Sequence, residues 1–233
     1  MIIIPARFAS TRFPKKVLYP IDGIPMVIRT ARQASKVDEV VIATDHEEIM
    51  QTAKQYGFKA VLTNPGHMSG TERVNEAATI LGLDNKEIII NVQADEPFIE
   101  PEVIQQVKEL AYEMAENEEI MIFSAYKKEP LPQKNDPHAV KVVLDASRFA
   151  LYFSRNQIPY SQQKIHINIH LGIYAYTKKM LERFCTLPSA PLEILEKLEQ
   201  LRALYHGYKV AMTEVESKSV GIDTPQDLKK LSR

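Results

Sequence analysis

The sequence predicts a doubly wound α/β domain on a mostly parallel sheet, with a smaller α+β extension in its second half. Three observations carry that prediction. Short apolar runs alternate with amphipathic stretches through the first half of the chain. The runs are continuous rather than alternating, the pattern of strands buried on both faces. After residue 138 the rhythm changes, opening with two apolar runs separated by only "ASR", a hairpin pattern.

In order, "MIII" (1–4), "EVVIAT" (39–44), "KAVLT" (59–63), "EIIINVQ" (87–93) and "IMIFSAY" (120–126) read as strands. Helical spacing of apolar residues predicts helices over 25–35, 46–57, 71–82 and 101–117. Gly57 and Gly82 suit C-terminal stops, and Pro25 and Pro101 suit first-turn positions. Such βα units close with right-handed crossovers. "AVKVVLD" (139–145) and "FALYFSR" (149–155) form the hairpin, and "INIHLGIYAY" (167–176) a further strand. "LEILEKLEQLRALYHG" (192–207) reads as one helix with a leucine face at Leu195, Leu198, Leu201 and Leu204. A late strand over 209–216 and a closing helix over 224–231 follow, with Thr224 as cap and Pro225 at its first position. No repeat or linker divides residues 1–233, so one domain is expected, with roughly 127–208 as an extension that shapes a substrate pocket, a dimer interface or both.

Composition narrows the function classes. Of 233 residues, 45% are apolar, enough for a sizeable core, and the net charge is −1. That balance gives no reason to expect nucleic acid or a membrane surface as partner. The single cysteine, Cys185, permits neither an internal disulfide nor a multi-cysteine metal site, and it reads as a small core residue of a protein in a reducing compartment. Only three apolar residues in a row near the start argue against a signal peptide, and no run approaches the ~18 apolar residues of a membrane span. A cytoplasmic protein is expected.

Against that near-neutral background the first loop, "PARFASTRFPKK", stands out. It gathers Arg7, Arg12, Lys15 and Lys16 with no acid among them. In an open α/β sheet the loop after the first strand borders the ligand crevice. This one is neither G-x-G-x-x-G nor a Walker loop. Its guanidiniums, ammoniums, Ser10, Thr11 and backbone N–H groups nevertheless suit a polyphosphate, although a solvated basic loop has the same composition. "VQADEP" (92–97) places Asp95 and Glu96 at the same sheet edge, where carboxylates could hold Mg²⁺ beside phosphates. Asp223 in "GIDTP" and Asp45 in "ATDHEE" read either as helix caps or as further acids of that site. "HMSGTERV" (67–74) opens a helix with Ser69 and Gly70, a cap whose N–H groups could also meet an anion.

Taken together, "IIPARFASTRFPKK", "ATDHEEI", "SGTERV", "NVQADEP", "AVKVVLD", "ALYFSR", "HLGIYAY", "LEKLEQLRAL" and "GIDTPQDL" resemble the motif series of the 3-deoxy-manno-octulosonate cytidylyltransferase family, in order, from Ile3 to Leu228. The first motif is shared with other sugar nucleotidyltransferases; "SGTER" with "HLGIY" and "LEQLR" is far more specific. The resemblance implies a nucleotide-diphospho-sugar-transferase fold. It implies transfer of CMP from CTP to 3-deoxy-D-manno-octulosonate (Kdo), with release of pyrophosphate, to give CMP-Kdo for lipopolysaccharide assembly. It also implies a cytoplasmic homodimer that needs Mg²⁺. On this reading Arg7, Arg12 and Lys16 hold the triphosphate, while Ser10 and the backbone of Pro5 and Ala6 face the nucleotide. Ser69 sits near base and ribose, Asp95 and Asp223 bind Mg²⁺, and Gln93 lies between nucleotide and sugar. Arg73 meets the sugar carboxylate, and His170, Tyr174, Glu199 and Gln200 line its hydroxyls. A sialic-acid cytidylyltransferase would share the first motif but lack "HLGIY" and "LEQLR" at this spacing. An idle scaffold on the same fold would have no need of Asp95, Asp223, Arg12 and Lys16.

Three departures touch the site. Lys15 and Ala94 stand where the family usually has Gly, so Lys15 competes with Lys16 for phosphate and Ala94 displaces Asp95 if its backbone needs a positive φ. The segment 158–170 is shorter than usual, which leaves open a variant octulosonate such as an 8-amino analogue.

Overall fold

A computed structural model describes residues 1–9, 13–131, 136–163, 165–219, 221–222 and 227. Strand β1 (Ile2–Ala6) is buried at every position, as its unbroken apolar run requires. A 3₁₀ turn (Lys16–Leu18) and a short ribbon of β2 (Pro20–Ile21) and β3 (Ile24–Pro25) lead into helix α1 (Met26–Ala34). There follow β4 (Val40–Thr44), α2 (Glu47–Gln55), β5 (Lys59–Leu62), α3 (Gly70–Ile80), β6 (Ile88–Val92), α4 (Pro101–Met114) and β7 (Ile120–Pro130). The second half supplies β8 (Lys141–Leu144), β9 (Ala150–Ser154), β10 (His166–Thr177), α5 (Lys178–Thr186), α6 (Pro191–Glu196), α7 (Leu201–Tyr205) and β11 (Lys209–Glu214).

The strands order as β11-β7-β10-β6-β1-β4-β5, with β8 pairing β10 and β9 pairing β8. β1 runs parallel to β4 and β6, and β11 parallel to β7, while β10 is antiparallel to both β6 and β7. The extension is therefore threaded through the middle of the sheet, and its wall stands directly over the carboxyl end of β6. Helices cover both faces. One apolar layer packs α1, α2 and α4 through residues such as Ile28, Ile49 and Ile104. The other packs α3, α5 and α7 through Val74, Leu181 and Leu201.

The predicted helix over 192–207 is two helices. Leucines spaced by three fall about 60° short of a full turn at each step, so they drift around an α-helix instead of staying on one face. The chain resolves this by breaking at Lys197, whose φ is +54°. Leu198 and Leu201 are then buried, while Leu195 stays 77% exposed. The break also turns Glu199 and Gln200 inward. Pro25 precedes α1 as its cap rather than sitting in its first turn. The predicted helix over 224–231 lies outside the described residues, apart from position 227.

Candidate active site

A cleft of about 590 Å³ opens at the carboxyl end of β6. Its floor is Gln93, Asp95 and Glu96, from the loop after β6, and one wall is Gly70 and Thr71 at the start of α3. His170 and Tyr174 of β10, with Glu199 and Gln200 from the α6–α7 break, form the opposite wall. Lys127, Arg155 and Lys197 contribute cations.

The nucleotide side begins where β1 ends. Pro5 and Ala6 are buried at the last two positions of β1. Lys16 Nζ lies 2.6 Å from Asp95 Oδ2, the ammonium 14% exposed and the carboxylate 30%. The two groups assigned to phosphate and metal thus form an ion pair with each other. The N–H of Ile222 donates to the carbonyl of Asp95 at 2.9 Å, which brings the chain just before Asp223 to this point. Ser10, Arg12 and Asp223 lie outside the described residues. Arg7 is exposed beside the strand end.

Gly70 is required by a close approach. A Cβ there would come within 3.2 Å of Pro5 Cγ and 3.4 Å of Gln93 Oε1. Ser69 caps α3, accepting from the Glu72 N–H at 3.2 Å, and its hydroxyl faces the Glu199 carboxyl. Gln93 is held in turn by Asn91, whose Oδ1 accepts from Gln93 Nε2 at 2.9 Å.

The sugar-side set comes together. Thr71 Oγ1 donates to Glu199 Oε2 at 2.7 Å, while Glu199 Oε1 is buried and has no hydrogen-bond partner among the described residues. Burial pushes the Glu199 carboxyl up, and the Thr71 and Ser69 hydroxyls pull it back in part. An orphaned, buried acceptor of this kind is costly unless a ligand donor completes it. Burial likewise pushes the His170 imidazole down to about 3, so the ring is neutral at physiological pH. Glu96 shares the floor; burial, then the neighbouring Asp95 charge, pushes its carboxyl up to about 7, while the Ser219 hydroxyl donates to it at 2.9 Å.

Arg73 does not join them. Its guanidinium is 3% exposed and turned into the protein, donating to Asp45 Oδ2 at 3.0 Å and to Thr63 Oγ1 at 2.6 Å. Asp45 in turn accepts from the Phe8 N–H at 2.8 Å. Arg73 therefore ties α3 to the end of β4 and, through Asp45, to the first loop. Asp45 is not the cap of α2 either; His46 takes that role, accepting from the Glu48 N–H at 3.1 Å.

The departures resolve physically. Position 15 has a φ of +52°, which explains why Gly suits it and costs a non-Gly residue roughly 1–2 kcal/mol. Lys15 reaches away from the phosphate region, pairing with Glu48 at 2.8 Å over the Phe8 ring. Ala94 is not among the positive-φ residues, and its carbonyl accepts from Thr30 at 3.0 Å, so its methyl leaves Asp95 undisturbed.

Sequence reasoning missed two groups. Arg155, the last residue of "ALYFSR", lines the cleft and ties the α6–α7 break to the 136–140 loop through the carbonyls of Glu196 (2.7 Å), Lys197 (3.2 Å) and Pro137 (2.8 Å). Lys141 is 2% exposed and donates to the carbonyls of Asp136, Ala139 and Arg155 at 2.9, 2.7 and 2.7 Å, pinning the same rim. A lysine inside "AVKVVLD", an otherwise apolar strand, was the available signal for the second.

A family model described as Cytidylyltransferase matches residues 1–215. A 3-deoxy-manno-octulosonate cytidylyltransferase of a Nitratiruptor species is 70% identical over 100% of this chain and 98% of its own length. One from Wolinella succinogenes is 51% identical, covering 99% and 97%. Among solved structures, a CMP:2-keto-3-deoxy-manno-octonic acid synthetase complexed with CTP superposes with a TM-score of 0.90 at 35% identity, over 99% of this chain and 95% of that one. A cytidylyltransferase from Leptospira borgpetersenii shares the fold, with a TM-score of 0.64 at 19% identity over 99% and 83%.

Proposed function

The chain belongs to the cytidylyltransferase family, and within it to the 3-deoxy-manno-octulosonate cytidylyltransferases; from that membership and the cleft we infer that it transfers CMP from CTP to Kdo, for lipopolysaccharide assembly. The observation that carries the reading is one cleft with two unlike ends. At one end the Lys16–Asp95 pair adjoins the first loop. At the other, neutral and acceptor groups (His170, Tyr174, Glu199, Gln200) suit a polyhydroxylated sugar.

In this reading the anomeric oxygen of Kdo bonds to the α-phosphorus of CTP, its hydroxyl proton passes to solvent, and the bond to the departing pyrophosphate breaks. Catalysis of this type rests on positioning and charge neutralisation rather than on a protein nucleophile. Arg7, Arg12 and Lys16 grip the triphosphate, with Ser10 and the backbone of Pro5 and Ala6 facing the nucleotide. Gln93, clamped by Asn91, sits between the two substrates. Glu199 Oε1, which has no hydrogen-bond partner among the described residues, accepts from a sugar hydroxyl. With Arg73 withdrawn into its pair with Asp45, the cations that line the cleft among the described residues, Lys127, Arg155 and Lys197, are the candidates to meet the sugar carboxylate. Asp95 and its neighbour Glu96 bring carboxylate oxygens to the cleft floor, the hard type that suits Mg²⁺, which takes one or two carboxylates plus substrate phosphates. Held by Asp95 and Asp223, Mg²⁺ would supply positive charge to the phosphate oxygens.

Pyrophosphate release measured with CTP and Kdo, with and without Mg²⁺, tests the assignment. Release with Kdo but not with sialic acid, and only with Mg²⁺, is the expected result. No release with Kdo sinks it.

We also assign a homodimer. The α6 helix and the β9 hairpin are tied together where Glu196 accepts from Ser154 (2.6 Å) and from the Arg155 N–H (2.9 Å). Together they expose Leu151 (58%), Ile194 (64%) and Leu195 (77%). Exposed apolar residues grouped in this way mark an association surface. Leu195→Glu is expected to shift sedimentation from dimer to monomer at micromolar concentration; a monomeric parent protein would refute the assignment. A cytoplasmic location agrees with a CTP substrate and with a described chain in which no helix is long and apolar enough to cross a membrane. Recovery from the periplasmic fraction would contradict it.

A further inference from the structure

We propose that Ser124, a residue outside the cleft, fixes the His170 ring as its neutral Nε2–H tautomer, so that the ring presents an Nδ1 lone pair toward Gln200 and the ligand. The proposal rests on the sugar-binding reading of this wall only for what the lone pair is used for. The tautomer itself follows from the protein's own atoms.

The chain of inference starts at a bulge. The register of β10 against β7 shifts between Leu171 and Tyr174. Ser124 of β7, fully buried, fills the irregularity: its Oγ lies 2.7 Å from the Ile173 carbonyl and 3.4 Å from the Leu171 carbonyl. Carbonyl oxygens only accept, and a serine hydroxyl has one proton to give. That proton is committed to the backbone. The same Oγ lies 3.0 Å from His170 Nε2, so toward the ring it has only lone pairs to offer. Nε2 must therefore carry the hydrogen.

The far side of the ring agrees. Gln200 Nε2 approaches His170 Nδ1 at 3.5 Å, and Gln200 Oε1 lies 3.5 Å from the Tyr174 hydroxyl. Both contacts are at the outer limit of hydrogen bonding, but they share one polarity: amide N–H toward Nδ1, amide oxygen toward the phenol. Phe153 meets the ring edge-on at 5.0 Å and holds its plane. Burial keeps the imidazolium from forming, as the value of about 3 indicates. A charged histidine here would attract the carboxylate of an acid sugar. A neutral ring whose Nδ1 lone pair meets only the long 3.5 Å approach of Gln200 Nε2 can instead accept from a hydroxyl that displaces that contact. Ser124 is thus a positioning residue that helps set which end of the sugar acid faces β10.

The test is long-range ¹H–¹⁵N correlation of histidine-labelled full-length protein, with the His170 signals assigned by difference from His170→Gln. The parent protein is expected to show a single Nε2–H tautomer with a pyridine-like Nδ1, unchanged from pH 8 to pH 5. Ser124→Ala should give mixed tautomers and raise the KM for Kdo ~3- to 10-fold, the effect of one lost hydrogen bond, with the KM for CTP within about twofold. Ser124→Thr, which keeps the hydroxyl, should retain the parent pattern. An Nδ1–H tautomer or an imidazolium in the parent protein, or an unchanged tautomer in Ser124→Ala, overturns the proposal. A parent protein that shows the expected tautomer but does not use Kdo would instead count against the sugar assignment of the cleft.

Discussion

Asp95→Asn is expected to lower kcat by ~10²- to 10³-fold or more while leaving the melting temperature within a few degrees of the parent, as befits loss of one well-placed charge in a site that works by neutralisation. The carboxylate is 30% exposed and paired with Lys16 at 2.6 Å, so its removal opens no cavity in the core. Two effects combine. The site loses one of the two carboxylates assigned to Mg²⁺, and Lys16 loses the anion that orients it. They separate experimentally. Calorimetric titration of Mg²⁺ into the CTP-saturated protein should show weaker binding for Asp95→Asn. Lys16→Met should leave that titration nearly unchanged and raise the KM for CTP. Near-parent turnover by Asp95→Asn would remove the carboxylate from the reaction and with it the metal assignment.

How far the site was legible depends on what kind of interaction makes it. The strands were legible because their burial is two-sided: "MIII" and "EIIINVQ" are apolar without alternation, and β1 and β6 are buried at every position. Lys16 and Asp95 were legible as partners of one site because each follows a central strand, and topology brings adjacent strand ends together. The break at Lys197 was not. It depends on how leucines at a three-residue spacing divide between α6, α7 and the core, and a leucine-rich run without Gly or Pro carries no signal of where the chain breaks. Nor was the bulge that gives Ser124 its role, since register shifts belong to pairs of strands rather than to either sequence. The pairing of Arg73 was hidden for a similar reason. Its motif position assigned it to the sugar carboxylate, as the resemblance implies. Its partner, Asp45, lies 28 residues earlier at the end of another strand, and only packing brings the two together.

Arg73→Leu is therefore expected to act first on stability. The pair is buried, with side chains 3% and 11% exposed, and cutting the arginine leaves the Asp45 carboxylate without its countercharge. Losing one partner of a buried pair costs about 3–5 kcal/mol, which lowers Tm by on the order of 10 °C in a chain of this length. The second variant that decides the matter is Asp45→Asn. It keeps an oxygen that can accept from the Phe8 N–H, a bond now 2.8 Å long, but carries no charge to strand. Combining it with Arg73→Leu should recover more than about 1 kcal/mol of the loss, a coupling expected only of groups in direct contact. The kinetic signature differs from that of a substrate ligand as well. Because Asp45 anchors the first loop, Arg73→Leu should weaken CTP and Kdo use together, with both KM values rising at temperatures well below the new Tm. A variant with parent-like Tm and a KM defect confined to Kdo would return Arg73 to the sugar carboxylate and show that its pairing with Asp45 yields to substrate.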